Sequence, residues 1–242
     1  MSDLVSITQW NGDRAMDSAY TRTRILNACA RLFRTRGYRG TTIRAISEQV
    51  GILSGSLFHH FSSKQQMLLE IMRSAAESMC TRARDEVAAA STPRGRLRAL
   101  IHLQLDCLLG ENTKDFYAVL VSEWRELDNT SKPPLTTLRR RYFRIWQDVL
   151  EQCEREGLLR AEPVATVFAL HGAINWASTW FKPTGRLSLE DYATLLERIV
   201  LELSVAHIAH AEQHAKELPT TRRVSGAHGS QSKRSRSRLT RV

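Results

Sequence analysis

The sequence is short of several things, and each shortage closes a class of explanation. Its 242 residues hold only four cysteines, Cys29, Cys80, Cys107 and Cys153, with no CxxC pair among them, which leaves neither a disulfide-stapled scaffold nor a cysteine-based metal site. Each lies in a helical-looking stretch, where a free cysteine serves as a small core residue. The longest uninterrupted apolar run, residues 116–121, is far below the ~18 residues of a membrane span, so no segment is expected to cross a bilayer. No early charged-then-apolar segment directs the chain outward, and the expected compartment is the cytoplasm. No stretch alternates apolar and polar with the period of two that marks a half-buried strand. A GxSxG elbow, a P-loop, a dinucleotide glycine pattern and HExxH are all missing, since Gly51 and Ser54-Gly55 have the wrong spacing for the first. The residues that catalysis or a bound cofactor would need are therefore not expected here.

What is present describes a globular chain with an uneven charge. At 42% hydrophobic and 25% charged residues, the length gives between one and two domains and a sizeable core. The net charge of +10 is concentrated at the ends: residues 1–64 hold nine basic and four acidic side chains, and residues 219–242 hold seven basic and none acidic. The stretch between them is slightly acidic, with nineteen basic and twenty-one acidic side chains. Basic ends around such a body suit a partner that brings phosphates, while a merely solvated tail is the bland alternative.

Periodicity organises the rest. Residues 1–20 show no sustained period and read as a flexible arm. From Thr21, Ile25, Ala28, Cys29, Leu32 and Phe33 recur at steps of three and four opposite Arg22, Arg24, Arg31, Arg34 and Arg36, one helix that Gly37 ends. Thr41 or Thr42 opens a short helix with Ile43, Ile46 and Val50 inward. After the turn at residues 51–53, a third runs from near Ser54 through Leu57, Phe58 and Phe61. Two helices of about two turns around a three-residue turn have the dimensions of a helix-turn-helix. Ser62-Ser63-Lys64 then starts a longer helix carrying Met67, Leu68, Ile71, Ala75 and Met79. Further helices are expected near 94–109, 114–128, 135–157, 163–181 and 188–214, separated by Gly, Pro and Asn breaks. The fold class is all-α, with about nine helices. The expected domains are an arm (1–20), a helix-turn-helix head (21–68), a helical body (69–214) and a basic, disordered tail (215–242).

The segment Thr42-Ile43-Arg44-Ala45-Ile46-Ser47, then residues 50–61 (Val-Gly-Ile-Leu-Ser-Gly-Ser-Leu-Phe-His-His-Phe), then Ser63-Lys64, resembles the DNA-binding head of the TetR family of transcriptional regulators over roughly residues 22–72. A helix entering the major groove needs small residues where its backbone nears the duplex, donors that reach phosphates, and apolar residues behind it. Gly55 and Ser56 meet the first need. Leu57 and Phe61 are packing residues, and Ser54, Ser56, His59 and His60 are the candidates to face DNA. Thr42 and Lys64 stand at helix N-termini, where free amides attract phosphate, and Arg44 and Phe58 complete the expected DNA-contacting set. Two positions depart from the family pattern. Leu53 stands where the family usually has a capping Ser, so the cap is expected to pass to Ser54, and Phe58 stands where it usually has a Tyr.

The resemblance further implies a homodimer whose last two helices form a four-helix bundle, with a ligand pocket in the helices before them. Small residues including Ala169, Gly172 and Ala173, with Tyr192, Leu196, Ile199 and Leu203 on the last helix, are the expected dimer interface. Phe116, Tyr117, Trp124, Trp146, His171, Asn175, Trp176 and Trp180 are the expected ligand-binding set, against the alternative that the aromatics are plain core. The strings at 51–61 and 175–183 also resemble TetR regulators of fatty-acid or steroid-ring breakdown that acyl-CoA thioesters release. Arg139, Arg140, Arg141 and Arg144 would serve an anionic CoA, or form a solvated helix face. His207, His210 and His214 lie at helical spacing, but no Cys, Asp or Glu completes a metal set, so no metal is expected. The whole implies a repressor of double-stranded operator DNA released by a small hydrophobic effector or acyl-CoA. An architectural protein using the basic tail, and more remotely a helical enzyme, remain the alternatives.

Overall fold

The apolar stripes become helices in the structure, a computed structural model that describes the backbone of residues 3–111 and 113–203 and the side chains of residues 17–111 and 113–202. Among the described residues there are nine α-helices and no strand. They are α1 (Asp3–Gly40), α2 (Ile43–Val50), α3 (Ser54–Leu57), α4 (Lys64–Ala89), α5 (Pro93–Leu109), α6 (Lys114–Ser122), α7 (Lys132–Arg155), α8 (Pro163–Trp180) and α9 (Leu189–Arg198). A 3-10 turn, Trp124–Glu126, follows α6, and α9 widens into a π-helical coil over Ile199–Leu203.

The helix ends have chemical causes. Thr42 caps α2 by accepting from Ala45 N at 3.1 Å, and Gly51, at φ 78°, closes it in the left-handed conformation that a side chain resists. Gly37, at φ 74°, breaks the regular part of α1, after which one short turn leads to Gly40. Ser63 caps α4, Thr92 caps α5 ahead of Pro93, and Glu162 caps α8 ahead of Pro163. Ser188 and Asp191 cap α9 reciprocally.

Four boundaries differ from the periodic reading. α1 reaches back to Asp3 through the segment read as an arm. α3 is regular only to Leu57, because Phe58, His59 and His60 donate to the carbonyls three residues back, the tighter 3-10 winding. α6 stops at Ser122, which frees Trp124 to turn one way and Leu127 another. α7 starts earlier than expected, at Lys132, since Pro133 and Pro134 fall in its first turn, where a missing N–H is harmless. The rest of the expected last helix, with His207, His210 and His214, and the basic tail lie outside the described residues.

The described residues belong to one unit, 1–206. One core gathers Ile25, Phe33, Ile46, Leu57, Phe61, Met67 and Leu68 beneath α1 to α4, and takes in Val119, Leu127 and Leu135 from later elements. The other gathers α4, α5, α7, α8 and α9 around Leu100, Ile101, Trp146, Val149 and Ile174. All four cysteines are buried, and burial pushes the Cys29 thiol up to about 12, so it stays protonated and inert.

Candidate nucleic-acid interface and ligand cavity

α2 and α3 are fixed against each other from below and from the side. Ile46, Val50, Leu57 and Phe61 are buried, the Ser47 and Ser54 hydroxyls lie 2.9 Å apart, and Arg24 donates to the Val50 carbonyl at 2.6 Å. Ser54 is thereby engaged with Ser47, and the cap does not pass to it. Leu53 occupies the capping position of α3, its backbone carbonyl accepts from Ser56 N at 2.9 Å, and no side chain caps the helix.

The outer surface of this pair presents Thr42, Arg44, Leu53, Ser54, Gly55, Phe58 and His59, all exposed, with Ser56 and His60 half-buried. Arg44 meets Glu48 one turn on at 2.8 Å, but its side chain remains 85% exposed, so the pair leaves it free to turn outward. Lys64 is placed differently from expectation. Its ammonium donates to the carbonyls of Tyr38 at 2.9 Å and Thr41 at 2.8 Å and sits 4.1 Å from the Tyr38 ring centre. Burial lowers its pKa, with Glu126 opposing. Lys64 therefore ties the start of α4 to the turn after Gly37 instead of offering its charge outward. Sequence reasoning did not place Leu53 on this outer surface; its departure from the family pattern was the available signal.

Gly55 has no internal reason to be glycine. An added Cβ would meet nothing within 4 Å, and its φ is not in the left-handed region. Glycine in the middle of a helix gives up roughly 0.5–1 kcal/mol relative to alanine, and close approach of the backbone by something from outside would account for its use here. Gly55→Ala should raise the thermal midpoint by about 1–4 °C, at ~2–4 °C per kcal/mol, while weakening binding to a selected DNA duplex about tenfold, ~1.4 kcal/mol. A variant that gains stability and binds DNA as before would remove close approach as the reason.

A cavity of ≈ 590 Å³ opens among α4 to α8. Of the expected ligand set it brings together Tyr117, Trp124, His171 and Asn175. The other four do not line it. Phe116 packs against both cores, Trp146 is fully buried behind the wall, Trp176 is 66% exposed, and Trp180, 42% exposed, rests on Tyr192 with ring centres 5.1 Å apart. In their place stand Met79, Leu120, Phe143 and Phe168, with Arg139, Arg140 and Arg144 from one face of α7. Arg139 lies 4.8 Å from the Trp124 ring centre. A short polar chain crosses the apolar lining: the Tyr142 hydroxyl donates to Gln104 Oε1 at 3.2 Å, and Gln104 Nε2 donates to Asn175 Oδ1 at 3.0 Å. Gln104 and Tyr142 were not singled out from sequence, because nothing along the chain links them.

His171 lies between Tyr142, ring centres 5.8 Å apart, and Trp146, 5.0 Å apart, and its Nε2 is buried without a hydrogen-bond partner. Burial pushes its pKa down to about 4 from 6.5, so the imidazole is neutral at pH 7. The unfolded chain binds the proton more tightly. Stability from this group is thus complete above pH 6.5 and lost as pH falls toward 4, about 3 kcal/mol in all. Thermal midpoints measured from pH 7 to pH 4 should fall over that window, and His171→Phe should flatten the fall; an unchanged slope in the variant would assign it to other groups.

The outer faces of α8 and α9 form a separate surface. Ala169, Gly172 and Ile199 are exposed there and Ala173 is half-buried, but Tyr192 and Leu196 turn inward, where the Tyr192 hydroxyl donates to the Ala173 carbonyl at 3.0 Å. The Leu203 side chain is outside the described residues. The exposed apolar groups are instead Phe168, Trp176, Trp180, Leu195 and Ile199, 65%, 66%, 42%, 43% and 44% exposed. Tyr192 and Leu196 face inward because α9 packs on α5, which leaves the row of Leu195 and Ile199 outward. Gly172 shares Gly55's property: an added Cβ would meet nothing within 4 Å.

One link joins the first surface to the cavity. α6 and the turn after it carry Tyr117, Leu120 and Trp124 on the cavity side. On the other side Asp115 pairs with Arg34, Glu126 pairs with Arg39 at 2.9 Å, and the Glu126 carbonyl accepts from Gln65 Nε2 at 2.6 Å.

Comparison with known proteins bears on both surfaces. The model of bacterial regulatory proteins of the tetR family matches residues 25–71, and that of the tetracyclin repressor-like C-terminal domain matches residues 90–204. The HTH-type transcriptional repressor KstR2 of Rhodococcus jostii (strain RHA1) is 32% identical over 184 residues, 75% of this chain and 89% of the relative. A solved structure of the ketosteroid transcriptional regulator KstR2 of Mycobacterium tuberculosis is 27% identical, with a TM-score of 0.65 over 75% of this chain and 95% of that one. AibR in complex with isovaleryl coenzyme A and operator DNA is 25% identical, with a TM-score of 0.69 over 75% and 98%. A structure described as superantigen PfiT is 37% identical, with a TM-score of 0.64 over 75% and 96%.

Proposed function

Because this chain belongs to the TetR family of transcriptional regulators, we propose that it is a homodimeric repressor that holds operator DNA through α2 and α3 and lets go when an acyl-CoA thioester enters the cavity. In this reading residues 21–68 are the head, 69–214 the effector and dimer body, and 215–242 a basic tail. Two heads related by a twofold axis meet successive major-groove faces ~34–36 Å apart on a near-palindromic site. Thr42, Arg44, Ser54, Gly55, Ser56, Phe58, His59 and His60 face the duplex, while Lys64 positions α4. The acyl group lies along Met79, Phe143 and Phe168, and Arg139, Arg140 and Arg144 meet the CoA phosphates. AibR, whose structure holds isovaleryl coenzyme A and operator DNA together, supports this pairing of ligand and target.

The observation that carries the reading is the shared element. α6 and its following turn line the cavity with Tyr117, Leu120 and Trp124 and are bonded on their far side to Arg34, Arg39 and Gln65. A ligand that moves this element moves the head. Since only differential affinity shifts an equilibrium, the effector must favour the conformer whose heads miss the operator spacing. The site of action is the cytoplasm; among the described residues no helix is long and apolar enough to cross a membrane. The relatives are transcriptional repressors and not enzymes, and family membership does not favour an architectural role for the tail.

The test is fluorescence anisotropy of the full chain on a duplex enriched from random DNA, titrated with acyl-CoA thioesters from isovaleryl to polycyclic acyl groups. At least one should lower operator affinity ~5- to 150-fold, while CoA alone and the free acid do not. Replacing Arg139, Arg140 and Arg144 together by Gln should blunt the response and leave operator binding intact. Release by free acids and by no thioester would overturn the CoA assignment.

A further inference from the structure

Within its four residues α3 offers little free hydrogen-bonding capacity, the exposed His59 lying beyond its end, and an exposed aliphatic side chain stands at its start. The Ser54 hydroxyl is 2.9 Å from that of Ser47, Gly55 has no side chain, Ser56 is half-buried and Leu57 is buried. Lys64 is engaged by two backbone carbonyls, and Arg44 belongs to α2. Beside these stands Leu53, 80% exposed, the most exposed of the large apolar side chains described. It occupies a position where Ser, Thr, Asp or Asn would cap the helix, and no side chain caps it here. The chain has put an aliphatic group where a polar one would serve the free protein better.

In a helix-turn-helix the N-terminal residues of the second helix reach the base edges. The wall of the major groove offers amide donors, carbonyl and ring-nitrogen acceptors, and one apolar group, the 5-methyl of thymine. Gly55, whose missing Cβ leaves open space, lets the backbone next to Leu53 come close to that wall. Phe58 is also exposed, at 51%, but follows the last regular residue of α3, at the end away from the base edges. We propose that Leu53 is a specificity-determining residue that reads the 5-methyl group of one thymine in each operator half-site.

This rests on the DNA-reading role assigned to α3 above, and the experiment separates the two. Duplexes are enriched from random DNA with the full chain, and each thymine of the winning sequence is replaced in turn by deoxyuridine, which keeps every hydrogen bond and removes only the methyl. At one symmetry-related pair of positions affinity should fall about fourfold per methyl, the equivalent of ~0.8 kcal/mol per buried carbon, and about sixteenfold for the pair. Leu53→Ser, which restores a cap, should bind the thymine and uracil duplexes equally at that pair, and Leu53→Ala should show a reduced ratio. A bound operator indifferent to every uracil substitution overturns the proposal and leaves the DNA role standing. So does a thymine preference that persists in Leu53→Ser and vanishes in Phe58→Tyr. Failure to enrich any duplex overturns the DNA role and this proposal with it.

Discussion

Replacing Trp176 by glutamate should convert the protein from a dimer to a monomer and lower operator affinity by more than a hundredfold. Trp176 is 66% exposed on α8, and Phe168, Trp180, Leu195 and Ile199 are exposed on the same two helices, although Phe168 also lines the cavity and Trp180 packs on Tyr192. Monomeric soluble proteins rarely expose contiguous apolar surface of this kind, and a twofold interface of two helices from each subunit would cover it. Gly172, one turn before Trp176, lacks any internal reason to be glycine, as would suit a close helix crossing. Buried interface tryptophans typically contribute 2 kcal/mol or more, and a twofold axis counts each one twice. A loss of ~4 kcal/mol corresponds to about a thousandfold in dimer dissociation. Light scattering behind size exclusion should report the mass of one chain at micromolar concentration. Because the residue is exposed in the subunit and absent from the cavity lining, the monomer should stay folded, its thermal midpoint lower only by the stabilisation that dimerisation supplied. A variant that stays dimeric and binds operator normally would place the interface elsewhere.

Trp146→Ala should destabilise the subunit by about 3–5 kcal/mol, the range for deleting a large aromatic from a closed core. Trp146 is fully buried on α7 and makes edge contacts with Tyr142 and His171, ring centres 6.4 Å and 5.0 Å away. Those two residues line the cavity, so Trp146 is the backing on which its inner wall rests. At ~2–4 °C per kcal/mol for a chain of this size, the midpoint should fall by about 6–20 °C in a calorimeter. Trp146→Phe retains a ring against both neighbours and should lose clearly less. Equal losses for Ala and Phe would mean that the wall collapses around either change, and the backing role would fail.

Much of the head could be read along the chain. The stripe of Ile25, Cys29, Leu32 and Phe33, the Thr42 cap and the Gly51 stop act within one or two turns, so the local sequence contains their causes. Lys64 shows where that reading ends. Its charge was visible, but the carbonyls of Tyr38 and Thr41 that hold it reach it only because Gly37 turns the chain back at φ 74°. The body was harder for a related reason. Trp146 and Trp176 have the same chemistry, yet the one in the more charged stretch of chain is the centre of a core and the other stands outside it.

The amino acids by themselves determined that this protein is helical and where most of its helices begin and end. They also determined that a helix-turn-helix of a known regulatory family occupies its front, because turns, caps and stripes are short-range properties. Which apolar row of α9 closes the subunit and which is left for a neighbour was decided only in three dimensions. So was the meeting of Gln104, Tyr142 and Asn175 across a cavity. Periodicity tells that a helix has an apolar side; what lies against that side depends on the packing of helices far apart in the chain.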